Sequence, residues 1–172
     1  MQSGKQLFLI CCWGILFSCE KKQSNTIQFK FDYEQSYGWM DLTLEKGIAH
    51  SGLYSERIGV DREYSHGFTL SLAQIHSAPL KKMKAGVWAN ATEINAPVYL
   101  VLDVFVPGSN EHLKFLQKDL SPVLQKKGGW RFFSAEIDLS SIKTKEAIVK
   151  AYVWNSRQQN LWIDDFSIEF EK

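Results

Sequence analysis

In four segments of the chain, apolar residues alternate with residues that are either large and aromatic or polar. Aromatic and polar side chains on one face can together bind sugars. Trp88, Tyr99, Tyr152 and Trp154 stand between the apolar residues of their segments, and Asp103 is in the same phase. Pyranose rings pack their C–H faces on aromatic rings, and carboxylates bond to hydroxyl groups. We predict these five residues as a carbohydrate-binding surface, together with the neighbouring positions Lys84, Asn90, Phe105, Trp130, Glu136 and Lys150.

This surface requires the four segments to lie in one sheet, where a period of two brings their aromatic residues to a common face. Contiguous exposed aromatic residues in a soluble protein mark an interaction site. Two alternatives stay open. Loops could fold over the face and make a second small core, or the face could contact a protein partner in the cell envelope.

Asp164 could bind a metal ion, because it lies in phase with the apolar Phe166 and Ile168 of the last segment. A carboxylate in such a place needs backbone N–H groups or a cation. Calcium takes six or more oxygen ligands, and Asp32 and Glu34 are candidate co-ligands if the first and last strands adjoin. The residues allow either a structural calcium or a carboxylate that only accepts backbone hydrogen bonds.

Catalysis has little support in the sequence. Ser51 is no nucleophile elbow, because no strand-to-helix element follows it. In a strand, the adjacent Asp164 and Asp165 point to opposite faces and cannot flank one glycosidic bond. We predict that the protein is not an enzyme, and the pair of Asp103 and Glu136 is the catalytic alternative.

The charge and the cysteine content of the chain exclude further classes of protein and of site. Residues 1–18 hold Lys5 and no acidic residue, so the rest of the chain has 19 of the 20 basic residues against 19 acidic ones. Nucleic-acid-binding proteins have a basic excess, and we predict no nucleic-acid partner. Cys19 is the one cysteine beyond residue 18, which excludes a disulfide within that part and zinc–thiolate chemistry.

The rest of the chain predicts one all-β domain. Short stretches rich in β-branched and aromatic residues begin at Thr26 and are separated by Gly, Pro, Asn and Ser, as in a β-sandwich. Residues 19–25 are polar after Cys19 and predict a tether. Single helical turns are predicted within Leu120–Gln125 and Leu139–Glu146. The predicted strands are Thr26–Tyr33, Tyr54–Val60, Gly67–Ala73, Lys82–Asn90, Pro97–Val106, His112–Gln117, Trp130–Leu139, Ala147–Trp154 and Leu161–Phe170.

The N-terminal segment resembles a bacterial lipoprotein signal. Lys5 precedes about eleven almost entirely apolar residues, Leu7–Phe17, and the small Ser18 stands just before Cys19; such a run is too short to cross a bilayer. The resemblance implies cleavage after residue 18, acylation of Cys19 with palmitate-type chains, and anchoring in the bacterial envelope, which we predict to be at the outer membrane. An ordinary cleaved signal and a buried N-terminal helix are the alternatives.

Several short motifs beyond the tether resemble carbohydrate-binding-module-like jelly rolls of the galactose-binding-domain-like type. They are Phe31-Asp32-Tyr33-Glu34 followed by Trp39, His50-Ser51-Gly52-Leu53-Tyr54-Ser55, Gly129-Trp130, and Leu161-Trp162-Ile163-Asp164-Asp165-Phe166-Ser167-Ile168. The resemblance implies a two-sheet antiparallel jelly-roll β-sandwich over residues 26–172. It also implies a structural calcium at Glu34, Ser51, Gly52 and Asp164. Sugar-contacting residues vary within this group, so the resemblance assigns none.

Replacement of the predicted lipidation site tests the anchor. We expect Cys19→Ala to move the protein from the membrane fraction to the soluble fraction, because the acyl chains can no longer be attached. Cys12→Ala, in the apolar run, is the matched control and should leave the protein with the membranes. Fractionation followed by immunoblotting measures this, and membrane retention of Cys19→Ala would contradict lipidation at this residue.

Overall fold

The computed structural model describes residues 25–35, 43–109, 111–125 and 128–172. The predicted signal, Cys19 and the tether up to residue 24 lie outside these residues, and so does Trp39. The described part of the chain forms ten strands and two short helices. No helix in it is long and apolar enough to cross a membrane.

Two antiparallel sheets pack into a sandwich, which confirms the predicted all-β class. The elements are β1 Thr26–Phe31, β2 Leu44–Lys46, β3 Tyr54–Ile58, β4 Phe68–Ser71, α1 Leu72–Ile75, β5 Lys82–Ala91, β6 Val98–Phe105, β7 His112–Asp119, α2 Ser121–Leu124, β8 Arg131–Asp138, β9 Ile148–Asn155 and β10 Leu161–Glu171. Sheet A has six strands in the order β2-β3-β10-β5-β8, with β1 also paired to β10, and sheet B has four in the order β4-β9-β6-β7.

Three local features differ from the sequence-based prediction. Strand β2 was not predicted, because three residues are too few to show a period of two. The strand predicted over Gly67–Ala73 ends at Ser71, whose hydroxyl accepts the Gln74 N–H at 3.3 Å while Gln74 accepts the Ser71 N–H at 2.9 Å. This capping box starts α1. The predicted turn at Leu120–Gln125 is confirmed as α2, whereas Leu139–Glu146 contains no helix.

The core lies between the two sheets. Alternate residues of β5, from Met83 to Ala89, face alternate residues of β6, from Val98 to Val104, and all eight are fully buried. Strand β9 contributes Val149, Ala151 and Val153 in the same way. The side chains between these positions therefore point away from the core, on the two outer faces of the sandwich.

A β-bulge interrupts β10, which pairs with β5 along most of its length. Asp164 pairs with Trp88 and Ser167 pairs with Gly86, so one extra residue lies between the two pairs. Asp165 accordingly has a φ of 47°. The bulge places Asp164 on the outer side of sheet A with Trp88, whereas Phe166 points into the core, and the prediction that Asp164 shares the direction of Phe166 is wrong.

Tyr33 follows β1 in the chain and is part of the buried core. The side chain is 1% exposed and lies near Glu56, which is fully buried in β3. One oxygen of Glu56 accepts the His66 backbone N–H at 2.7 Å and contacts the His66 ring at 2.8 Å. Burial raises the pKa of the Tyr33 hydroxyl well above its usual range, and the charge of Glu56 raises it further.

Alkaline unfolding tests the burial of Tyr33. The unfolded chain loses its tyrosine protons near pH 10, whereas folded Tyr33 keeps its proton to higher pH. The free energy of unfolding should therefore fall as the pH rises above about 10. Tyr33→Phe should reduce this fall, with Tyr64→Phe at the surface as the control. Urea unfolding at about pH 8 and about pH 10.5 measures it, and an equal fall in the parent and in Tyr33→Phe would contradict the argument.

Candidate functional site

The predicted aromatic surface is divided between the two sheets. Strands β6 and β9 lie in sheet B, and β5 and β8 lie in sheet A. Tyr99, Asp103, Tyr152 and Trp154 therefore share the outer face of sheet B, while Trp88 lies on the opposite side of the sandwich. The condition for a single surface, that all four segments lie in one sheet, is therefore not met. A period of two shows that a residue points outward but not in which sheet it lies.

Four aromatic residues cluster on the outer face of sheet B. Tyr99 pairs with Trp154 across β6 and β9, and Tyr64 continues the row through an isolated bridge to Trp154. Ring centroids are 5.3 Å apart for Tyr99 and Trp154 and 6.3 Å apart for Tyr64 and Trp154. Tyr152 and Tyr64 form a T-shaped pair with 5.7 Å between their ring centroids. We call Tyr64, Tyr99, Tyr152 and Trp154 the ring face.

Tyr64 was missed by sequence reasoning, because it stands in an irregular segment without alternation. Backbone hydrogen bonds from Ser65 to Val153 and from Asn155 to Glu63, of 2.9 and 2.8 Å, attach this segment to β9. The indole N–H of Trp154 donates to Glu63 at 2.7 Å, which fixes the ring. Tyr64 is 45% exposed and is the most open of the four rings.

A polar hollow lies beside the ring face, toward the other end of β6. Asp103 is 6% exposed, and one of its oxygens accepts a hydrogen bond from Nδ1 of His112 at 2.7 Å. The pKa of the nearby Tyr152 is raised by burial and further by the charge of Asp103. The hollow has a volume of about 270 Å³ and is lined by Asp103, Phe105, Ser109, Glu111, His112 and Lys150.

The aromatic residues on the outer face of sheet A have a different arrangement. The His50 ring stacks on the indole of Trp88 with 3.7 Å between centroids and an angle of 14°. Phe132 lies 5.5 Å from Trp88 and is 51% exposed. It covers Gly86, where an added Cβ would come within 2.9 Å of its ring. One face of Trp88 is thus occupied by the protein itself, and its prediction as a ligand residue stays a prediction, on a face separate from the other four.

The residues predicted as calcium ligands meet at the turn around Ser51 and Gly52. Asp164 accepts the backbone N–H groups of His50 at 2.8 Å and of Ser51 at 3.1 Å. Glu34 accepts those of Leu53 at 2.8 Å and Tyr54 at 2.9 Å. Gly52 has a φ of 63°, and an added Cβ would overlap the Glu34 carboxylate, which requires glycine here.

The groups that contact the carboxylates of Glu34 and Asp164 at this turn are backbone N–H groups, which donate hydrogen bonds. Backbone N–H groups cannot coordinate calcium, which needs oxygen atoms. Burial raises the pKa of Asp164, and the N–H groups of Ser51, Asp165 and His50 lower it. No group of three or more His, Cys, Asp or Glu side chains in the described ranges could hold a metal ion. The hydrogen bonds therefore account for both carboxylates without an ion.

Neither carboxylate pair considered for catalysis has a suitable geometry. Asp103 and Glu136 lie on the outer faces of different sheets, with the core between them. Asp164 and Asp165 do share a side, contrary to the prediction, because the bulge removes the alternation. Both contact the protein itself, however: Asp165 accepts from the Ser51 hydroxyl at 3.0 Å and pairs with His50 at 2.6 Å.

No protein-family model and no curated protein matches the sequence. Solved structures of carbohydrate-binding modules do match. The CBM22-2 xylan-binding domain of Xyn10C from Paenibacillus barcinonensis is 17% identical, with a TM-score of 0.54 over 81% of this chain and 97% of that one. The tandem CBM22-1-CBM22-2 of the same protein is 18% identical, with a TM-score of 0.57 over 84% of this chain and 50% of that one.

These matches define the class of the fold. The chain forms a jelly-roll β-sandwich of the kind found in carbohydrate-binding modules, which confirms the predicted architecture. Because the identities are below 20%, the likeness concerns the fold, and a ligand has to be argued from this chain's own residues.

Melting with and without calcium tests the carboxylates at the turn. We expect the same melting temperature in calcium chloride and in EDTA, because hydrogen bonds already hold Glu34 and Asp164. A bound ion would instead stabilise the fold by RT ln(1 + [L]/Kd). Asp164→Asn separates the two cases, because it should lower the melting temperature equally in both buffers. A rise with calcium that Asp164→Asn abolishes would support the calcium site predicted from the sequence.

Proposed function

We propose that this protein is a non-catalytic, lipid-anchored component of the bacterial cell envelope that binds carbohydrate through the ring face. The observation that supports this most strongly is that the ring face and the buried Asp103 share the outer face of sheet B, with Tyr152 between Tyr99 and Asp103. Stacking surfaces and a hydrogen-bond acceptor lie on the same face, as in other ligand sites. Calcium has no part in the proposal.

The arrangement of the rings suits sugar. Tyr64, Trp154 and Tyr99 form one row across three neighbouring segments of sheet B, with 5.3 to 6.3 Å between successive centroids. A row of this kind offers successive apolar surfaces to the C–H faces of neighbouring pyranose units. The rings lie outside the core between the sheets.

Asp103 explains why a hydroxyl-rich ligand is favoured over an apolar one. A nearly buried carboxylate needs several hydrogen-bond donors. Its hydrogen-bond partner among the described side chains is His112, which occupies one of its two oxygens. The other oxygen can accept a bond from a sugar hydroxyl, whereas a purely apolar partner would bury it without compensation.

The chain path agrees with an anchor at the N-terminal end. Thr26 pairs with Glu171, at the end of sheet A where β5 begins with Lys82. Trp154 is the penultimate residue of β9 and lies at the opposite end, where β9 leads into β10. A tether before Thr26 would therefore join the domain at the end opposite the ring face. If Cys19 is anchored in the outer membrane, the ring face would then point away from the membrane.

Glycan binding by the soluble domain, residues 26–172, tests the proposal. Xylan and its oligosaccharides are the first probes, because the CBM22-2 domain that shares this fold binds xylan, and a glycan array extends the search. Trp154→Ala and Tyr152→Ala should each weaken binding at least tenfold, or about 1.4 kcal/mol, by removing a stacking surface. Phe132→Ala, on the outer face of sheet A, is the control and should leave the dissociation constant unchanged.

Two outcomes would overturn the proposal. One is the absence of binding to any glycan by the correctly folded parent domain. The other is a ligand whose affinity depends on Phe132 or Trp88 and not on Trp154. If the domain binds no glycan but co-purifies an envelope protein that Trp154→Ala releases, the ring face is a protein interface instead.

A further inference from the structure

The polar hollow and the ring face lie on one continuous strip of sheet B. Tyr99 and Asp103 both point outward from β6 and are four residues apart, which corresponds to about 14 Å along a strand. Tyr152 on β9 lies between them, since it pairs with Val101. A ligand that contacts both the row of rings and the hollow must therefore be extended.

The hollow presents acceptors at its base. Nδ1 of His112 lies 2.7 Å from Asp103, and the ring is otherwise half exposed, with 53% of the side chain accessible. If Nδ1–H donates to the carboxylate, Nε2 of a neutral imidazole is left as an acceptor. The second oxygen of Asp103 is also an acceptor. A ligand group here has to donate hydrogen bonds, and a sugar hydroxyl does so.

The charges around the hollow disfavour an acidic sugar. Asp103 is nearly buried, and Glu111 stands at the rim. Lys150 is the neighbouring cation, with its Nζ 4.8 Å above the Phe105 ring, and its one positive charge is set against these two carboxylates. A carboxylate or sulfate group placed against Asp103 would meet a like charge.

We propose that the hollow is a second subsite for the same glycan, which takes a neutral sugar unit with free hydroxyl groups. Asp103 is the residue that recognises these hydroxyls, and the hydrogen bond with His112 positions its carboxylate. The proposal rests on the proposed function, and it specifies the ligand further: an oligosaccharide that reaches about 14 Å from the rings and is unsubstituted and uncharged where it meets the hollow.

The dependence of affinity on chain length tests this subsite. The probe is the xylo-oligosaccharide series, or the oligosaccharide series of the glycan that the array returns, measured by calorimetry. Asp103→Asn removes the charged acceptor and presents an amide donor, so it should weaken the longest oligosaccharide at least tenfold, as expected for a charged hydrogen bond. It should leave the shortest binding member unchanged, since that member fits on the rings alone.

Three further measurements keep the test specific. Glu136→Gln, an exposed acid on sheet A, is the matched control and should change nothing. His112→Gln should weaken long oligosaccharides as well and leave the shortest binding member unchanged, because the Asp103 carboxylate loses the hydrogen bond that positions it. An O-acetylated or uronic-acid-bearing version of the long probe should bind the parent more weakly than the neutral one.

The outcomes separate this inference from the proposed function. If Trp154→Ala abolishes binding but Asp103→Asn and His112→Gln have no effect at any chain length, the ring face binds glycan and the subsite is refuted. An equal loss at every length, with an unchanged melting temperature, also refutes the subsite, because Asp103 would then act at the rings. If the parent binds no glycan, both proposals fail.

Discussion

Burial of one face of each sheet against the other is the interaction on which the rest of the structure depends. Alternate residues of β5, β6 and β9 provide this core, and they are completely inaccessible to water. Apolar burial is the dominant favourable term in folding, so the inward positions have little freedom of residue type. The outward positions do not have that requirement, and aromatic and charged residues can occupy them.

The bulge in β10 makes the two outer faces unequal. Because Asp164 and Asp165 both turn to the same side, they hold the His50–Ser51 turn over sheet A. The His50 ring then lies on Trp88, and the protein uses this aromatic surface for its own packing. On sheet B the aromatic rings contact one another, stay partly exposed and share their face with the carboxylate of Asp103. The difference between the faces is the physical reason why we propose sheet B as the binding face.

Alternation in the sequence predicted which side chains point inward, and the core of β5, β6 and β9 confirms it. It could not predict sheet membership, because strand pairing depends on contacts between distant segments. Trp88 was therefore grouped with Trp154, although the core separates them. The bulge at Asp165 was missed because one inserted residue shifts the alternation of inward and outward side chains, and the sequence has no glycine there to indicate a bulge. Tyr64 was missed because a single bridge, and no strand, brings it to Trp154.

The signal of the Trp154 indole N–H during a glycan titration is the most direct test of binding at sheet B. Two-dimensional ¹H–¹⁵N spectra resolve each indole, and the hydrogen bond of Trp154 to Glu63 makes its signal sensitive to a ligand on the ring face. We predict that this signal shifts in a saturable way while that of Trp88 stays in place. A shift of the Trp88 signal with an unchanged Trp154 signal would contradict the account.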